Sequence, residues 1–183
     1  SLNGTNLTPP AAQIAATKPD FVVGTVASTS EQPFFQQLRS DGYKGPIVDY
    51  SSGVVLSIFQ ALNDPNLYGL LAWAYPGGSG QAVTTYLNLA KKYSLEPAGQ
   101  LTPSGYTGGL MLVAALKKCG ASCSRSALKT SFEKLNGFNA GGFLAGPLAM
   151  SASNHDAIQV ANLVHYANGG LQSAMTVNGG TVS

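Results

Sequence analysis

Chemistry has few places to start in this chain. Its two histidines stand apart: His155 lies in a predicted turn beside Asp156, and His165 alternates with apolar residues on a predicted strand. Both settings read as structural, because general acid–base work needs a partner within hydrogen-bond reach of a reacting group. No serine occupies a glycine-x-serine-x-glycine elbow, and no histidine, cysteine or carboxylate has metal-ligand spacing. Gly77-Gly78-Ser79-Gly80 follows an apolar run and precedes a helix, yet it lacks the lysine and the spacing of a phosphate cradle. It reads as a hinge. The sequence therefore argues against catalysis and calls for no metal or cofactor.

Binding chemistry is better represented. Ala27-Ser28-Thr29-Ser30 is a row of hydroxyls between a predicted strand and a helix start. There, hydroxyls and backbone N–H groups can meet an anionic ligand group at the positive end of the helix. The same Ser28 or Ser30 would also serve as an ordinary N-cap. Asp49-Tyr50 follows the next strand. Asp49 is a ligand-facing carboxylate, a solvated one or a cap for the following helix. Tyr50 offers a ring for stacking and a hydroxyl for hydrogen bonding.

Cys119 and Cys123 enclose Gly120-Ala121-Ser122 between the end of one predicted helix and the start of another. Two thiols this close on a tight glycine loop suit a disulfide clip. Closing so short a loop contributes about 2 kcal/mol in the chain-entropy view and implies an oxidising compartment. The alternative is two unrelated reduced cysteines; a metal would want more than two thiols with no histidine nearby. Asn3-Gly4-Thr5 and Asn6-Leu7-Thr8 also match the N-glycosylation pattern.

The elements that must position these groups follow from periodicity and punctuation. Thr8-Pro9-Pro10 opens a helix through Ile14 that ends near Lys18-Pro19, with Thr8 as the expected N-cap. Phe21–Val26 reads as a buried strand, Ser28–Gly42 as a helix with Phe34, Phe35 and Leu38 on its apolar face, and Pro46–Val48 as a second strand. A third helix starts at Ser51 or Ser52 and runs through Val55, Ile58 and Leu62, before a strand at Leu67–Tyr75. This alternation points to a parallel sheet covered by helices. Beyond the glycine break come helices at about 80–94, 104–118 and 125–136 with no strand between them, the last capped by Ser124. Strands return at Phe143–Met150 and Ile158–Tyr166, with turns at Ser153–Asp156 and Asn168-Gly169-Gly170. The central helices lack a sheet of their own to pack against, so a partner segment is expected.

Composition narrows the class. The chain has 183 residues, of which 44% are hydrophobic and only 10% charged. Length alone suggests one domain or two small ones, and Ser, Thr, Asn, Gln and Gly must supply the polar surface. A net charge of +2, with basic pairs only at Lys91-Lys92 and Lys117-Lys118, leaves no footprint for nucleic acid. The longest apolar stretch is too short to cross a bilayer, and the polar, proline-containing start does not read as a signal peptide.

Together these residues resemble the type I periplasmic binding proteins, in the branch that includes the branched-chain amino-acid receptors of ABC transporters. Lys18-Pro19-Asp20-Phe21-Val22-Val23 is similar to the family's strand entry in the second lobe, and Phe34 through Ile47 to its next helix, glycine turn and strand. Tyr68-Gly69-Leu70-Leu71 fits the strand leading back to the first lobe, and Gly105-Tyr106 the opening of a long first-lobe helix. Gly146-Pro147-Leu148, Asn154-His155-Asp156 and Asn168-Gly169-Gly170-Leu171 resemble the late strand, the acidic turn and the final hairpin. Thr107 and Gly108 depart from the usual aspartate and alanine, and Met150 stands where an aromatic is usual.

The resemblance implies an α/β fold of two Rossmann-like lobes joined by hinge strands, with ligand held between lobes. Residues 1–72 would belong to lobe 2, 73–148 to the helical part of lobe 1 with hinge strands, and 149–183 to a return to lobe 2. The N-terminal half of such a protein would be missing from this chain. In amino-acid binders of the family an acidic residue at the position of Asp49 pairs with the ligand ammonium. Ser28, Thr29, Tyr50, Tyr75 and Tyr106 are the other expected ligand contacts; Tyr106 would alternatively pack its helix, and Trp73, at the crossover, belongs in the core. The implied role is non-enzymatic: a periplasmic or extracellular receptor, lipid-anchored in some settings, that passes a small polar ligand to an ABC transporter permease. A sensor ectodomain is the alternative, and an amidase-type hydrolase a more distant one.

Overall fold

The computed structural model describes residues 7–25, 28–50, 54–75, 77–96, 102–179 and 181–182. The sequons at Asn3 and Asn6, and Ser51 and Ser52, lie outside them; the third helix does not run through Val55 as expected but begins at Leu56, with Val55 extended at its N-cap. Chain order is α1 (Thr8–Thr17), β1 (Val22–Gly24), α2 (Ser28–Ser40), β2 (Ile47–Asp49), α3 (Leu56–Leu62), β3 (Leu67–Leu71), α4 (Gln81–Lys92), α5 (Thr102–Cys119) and α6 (Arg125–Glu133). A 3-10 turn (Ala140–Gly142) and strands β4 (Val160–Ala167), β5 (Gly170–Asn178) and β6 (Thr181–Val182) complete it. The α/β class expected from the sequence is the class observed. The chain divides into two compact units, 1–70 with 163–174 and 71–162 with 175–183.

Unit 1 holds the parallel sheet. β1 pairs with β2 through Val22↔Ile47, Val23↔Val48 and Gly24↔Asp49, and β2 with β3 through Ile47↔Leu67, Val48↔Tyr68 and Asp49↔Gly69. The order continues from β3 to the unit's parts of β4 and β5. β1 is shorter than the predicted 21–26 because β2 offers only three partners, bounded below by Pro46, which has no N–H to donate. Phe21 and Val23 stay exposed while Val22 is buried.

α2 buries Phe34, Phe35 and Leu38, the stripe its spacing predicts, and each such burial contributes roughly 1.5–3 kcal/mol. Arg39 at its C-terminal end pairs with Asp64 at 2.6 Å and donates to the carbonyls of Tyr43 (3.0 Å) and Gly45 (2.8 Å), tying the helix to the turn before β2. The first helix departs in one detail: Leu7 occupies the N-cap position, and Thr8 is already helical.

Unit 2 is built around rings. Phe143 lies 5.0 Å from both Tyr86 of α4 and Tyr106 of α5, centroid to centroid, and Tyr86 and Tyr106 are 5.1 Å apart. Leu135, Leu144, Leu148 and Ala115 close this core. α5 and α6 are joined by the Cys119–Cys123 disulfide, Cα–Cα 5.3 Å. Ser124 caps α6, accepting from the Ala127 N–H at 3.2 Å.

The predicted strand at Phe143–Met150 is not formed. That segment makes a single bridge, Trp73↔Leu144, flanked by Ala74 N–H to Phe143 O (2.7 Å) and Ala145 N–H to Ala72 O (2.9 Å). Gly141 (φ 68°) and Gly142 (φ 90°) turn the chain just before it, and Pro147 removes a ladder donor just after. Likewise the predicted Leu67–Tyr75 strand stops at Leu71. The chain returns from β4 into β5 through Asn168 (φ 51°) and Gly169 (φ 83°), the positive-φ pair that suits a two-residue hairpin.

Among the described residues of 80–139 there is no strand, as the sequence indicated. α5 instead carries an outward apolar stripe, Leu112, Val113 and Leu116.

Candidate functional site

β2 ends on Asp49, in register with Gly24 on one side and Gly69 on the other. Residues in register across neighbouring strands share a face, so both flanking positions on the face of Asp49 lack a side chain. Aromatic rings use that room. A Cβ on Gly24 would stand 2.8 Å from the Phe35 ring, and one on Gly69 would stand 2.6 Å from a Val54 methyl and 3.1 Å from the Phe59 ring. Asp49 thus projects into an apolar layer between sheet and helices and is only 1% exposed.

A second carboxylate of the same unit is buried as well. Glu31, in the first turns of α2, is also 1% exposed. Glu31 Oε2 and both carboxyl oxygens of Asp49 have no hydrogen-bond partner among the described residues. The Tyr50 amide, although adjacent, donates to the Gly24 carbonyl at 3.1 Å. Loss of water pushes the Glu31 carboxyl up to about 7. Asp49 is pushed up to about 8, first by burial and then by the charge of Glu31, with the Tyr50 backbone only partly offsetting them. Two acids held in this way can accept hydrogen bonds or receive a cationic group.

Sequence reasoning placed Asp49 among the candidates and passed over Glu31. The signal was present: Glu31 stands three, four and seven residues before Phe34, Phe35 and Leu38, which puts a carboxylate on the buried stripe.

The other candidates fall as follows. Tyr50, next to Asp49, is 55% exposed and presents its ring outward. Ser28 and Thr29 are the opening residues of α2, four and five positions beyond the end of β1; their hydroxyls lie outside the described side chains. Because β1 and β2 run parallel with Gly24 opposite Asp49, the segments leaving the two strands emerge at the same edge of the sheet.

Tyr75 and Tyr106 belong to unit 2. Tyr75 lies under the following glycine turn, its ring 2.7 Å from where a Cβ on Gly77 would be, and burial pushes its hydroxyl up to about 12. Tyr106 is a member of the aromatic cluster, edge-on to Phe143.

His155 Nε2 stands 3.2 Å from Glu133 Oε1, which also meets Lys129 Nζ at 3.1 Å; these partners, Lys129 first, hold the partly buried Glu133 below the usual carboxylate range. His165 lies edge-on to Tyr68, centroids 6.1 Å apart. Among the described residues no cluster of three His, Cys, Asp or Glu could hold a metal ion, and no helix is long and apolar enough to cross a membrane.

No curated protein matches the chain. Solved structures do. An ABC transporter substrate binding protein of Aeropyrum pernix superposes with a TM-score of 0.80 at 18% identity, covering 94% of this chain and 48% of that one. A branched chain amino acid ABC transporter protein of Thermus thermophilus, with bound valine, gives 0.75 at 12% identity, covering 94% and 49%. A solute binding protein of R. palustris in complex with benzoate gives 0.68 at 17%, covering 99% and 49%. The chain therefore spans about half the length of these structures, and the likeness is one of fold. The periplasmic binding protein family model matches residues 1–170, so the strands, helices and hairpin described above are those of a type I periplasmic binding fold, and the chain belongs to the periplasmic binding protein family.

Proposed function

We propose that this chain is part of an extracytoplasmic solute-binding protein that captures a small polar ligand, an amino acid or a related small acid, and presents it to an ABC transporter permease. The observation that carries the reading is the Gly24↔Asp49 pairing. It means that the segments leaving β1 and β2, which lead to the start of α2 and to Tyr50, emerge at the same carboxyl edge of a parallel sheet, the edge at which such folds bind ligands.

Ser28 and Thr29 would meet an anionic group at the helix N-terminus. Asp49 would take a cationic one, and the exposed ring of Tyr50 would stack. The ligands in the two relatives' structures, valine and benzoate, share a carboxylate, the group that the helix start suits.

The role is non-enzymatic, and the disulfide fits an oxidising location outside the cytoplasm. Residues 1–72 and 149–183 are assigned to one lobe and 73–148 to the other. The partner is the remaining half of the same fold: relatives are about twice as long, and the Leu112, Val113 and Leu116 stripe offers a face for it.

The test is thermal unfolding of the chain within its complete polypeptide, against amino acids and aromatic acids including L-valine and benzoate. At about one hundred times its dissociation constant a true ligand stabilises by about 2.7 kcal/mol. Tyr50→Ala and the Ser28→Ala/Thr29→Ala pair should shrink that gain. No shift with any of these compounds, or a shift that the variants leave intact, defeats the proposal. The 183-residue chain alone should bind weakly or not at all, and micromolar affinity by calorimetry would show that it needs no second half.

A further inference from the structure

We infer that unit 1 carries a second binding site, for a small organic monocarboxylate, at the amino edge of its parallel sheet. A cavity of about 420 Å³ opens there, within the size range of small-molecule sites. Its walls come from the C-terminal turns of α2 and α3 and from the segments that enter β2 and β3. Tyr50 and the start of α2 follow the other ends of these strands, so this inference does not rest on the ligand proposed above.

Arg39, which lines the cavity, carries the argument. Its Nε donates to Asp64 and its Nη1 to the carbonyls of Tyr43 and Gly45. Nη2 is buried and has no hydrogen-bond partner among the described residues. The guanidinium is thus fixed in place with one donor left over, and a buried donor without an acceptor is costly. A position in the last turn of α2 explains why a cation stands there. It does not explain the unmet donor. The surroundings are also held ready: Asn66 Nδ2 donates to the Lys44 carbonyl at 3.1 Å, and the Tyr43 hydroxyl to the Pro46 carbonyl at 3.0 Å. The two segments that enter β2 and β3 are therefore tied to each other.

Charge and lining set the class of acceptor. Asp64 is already committed, its Oδ1 accepting from the Asn66 amide at 2.9 Å and its Oδ2 from Arg39. Lys44 lines the same cavity and forms no ion pair among the described residues. The charged groups of the lining are thus two cations and one carboxylate, an excess of one positive charge. Gln36 adds a side-chain amide, and Ala61 and Leu62 add an apolar wall. A bare inorganic ion would leave that wall unused. A carboxylate on a short hydrocarbon body uses both: its oxygens accept from Arg39 Nη2, Lys44 Nζ and the Gln36 amide in charge-assisted hydrogen bonds, and its body lies against Leu62.

Nuclear magnetic resonance of the full chain, titrated with butyrate, tests it. Saturable shifts of the Arg39 Nε–H and Gln36 side-chain amide signals are expected. Butanol keeps the hydrocarbon body without the charge and should not saturate them. Lys44→Glu reverses the charge of an exposed side chain, so the fold is kept, and butyrate should bind about tenfold more weakly or worse. Gln36→Ala should weaken binding by less. Signals that butyrate does not move to saturation, or affinity that Lys44→Glu leaves unchanged, overturn the site. Saturation of the same signals by butanol, or by inorganic phosphate at lower concentration than butyrate, overturns the assignment to an organic acid. The wild-type titration decides without any variant having to fold.

Discussion

At the end of β2 in unit 1 stands Asp49, a fully buried carboxylate, and the same unit buries Glu31. At the centre of unit 2 stands Phe143, fully buried between Tyr86 and Tyr106. The two sites are equally hidden from water but differ in what burial does. Rings about 5 Å apart gain from packing, adding roughly 0.5–1.5 kcal/mol per pair beyond the area they bury. Buried acids without partners lose solvation and return nothing to the fold unless protonated or paired. Unit 2 thus has the core of a scaffold, whereas unit 1 holds a polar group where an apolar one would have been more stable. Departures of that kind concentrate at sites with another task. The contrast supports the proposal that ligand chemistry belongs to unit 1.

The sharpest way to break that contrast is to remove its apolar side. Phe143→Ala should cost about 3–5 kcal/mol in urea unfolding, since the ring leaves a cavity between two tyrosines that cannot both collapse into it. A loss under about 1 kcal/mol would mean that the cluster is not the core of unit 2.

The matching change in unit 1 adds an atom instead. Gly69→Ala would place a Cβ 2.6 Å from a Val54 methyl and 3.1 Å from the Phe59 ring, on the strand position in register with Asp49. Overpacking of this kind costs about 1–3 kcal/mol. Unchanged stability would show that Val54 swings aside, and that the glycine is not what fits rings around the acid.

Much of this was legible beforehand, for identifiable reasons. The α2 stripe of Phe34, Phe35 and Leu38, the disulfide loop and the Ser124 cap are local patterns, and local patterns read directly from spacing. The Phe143–Met150 segment was misread because its apolar run satisfies strand periodicity, while Gly141, Gly142 and Pro147 decide the backbone. Thr8 was misplaced by one residue, an ordinary error at helix ends. Asp49 was visible as a carboxylate after a strand, but its burial was not. Burial depends on Gly24 and Gly69 falling in register on the neighbouring strands, a non-local fact. Glu31 was overlooked for a different reason: beside two serines and a threonine it looks like part of a cap, although its spacing to Phe34, Phe35 and Leu38 already sets it on the buried stripe.

The smallest effect sharpens the comparison from the scaffold side, where local sequence should be enough to explain stability. Ser124 Oγ accepts from the Ala127 N–H at 3.2 Å and lies 3.1 Å from Ser126 Oγ, at the exposed start of α6. Ser124→Ala removes the acceptor and should cost about 1 kcal/mol, read as a lower urea midpoint with an unchanged slope. Ser124→Asp keeps an acceptor and adds a negative charge at the positive end of the helix, so it should restore the midpoint or raise it. If Asp fails as badly as Ala, the serine acts through its neighbour Ser126 or through the adjoining disulfide rather than through the helix terminus. The capping pattern would then be the wrong reading of a local motif, and the division between a scaffold read from spacing and an interior read from packing would not hold.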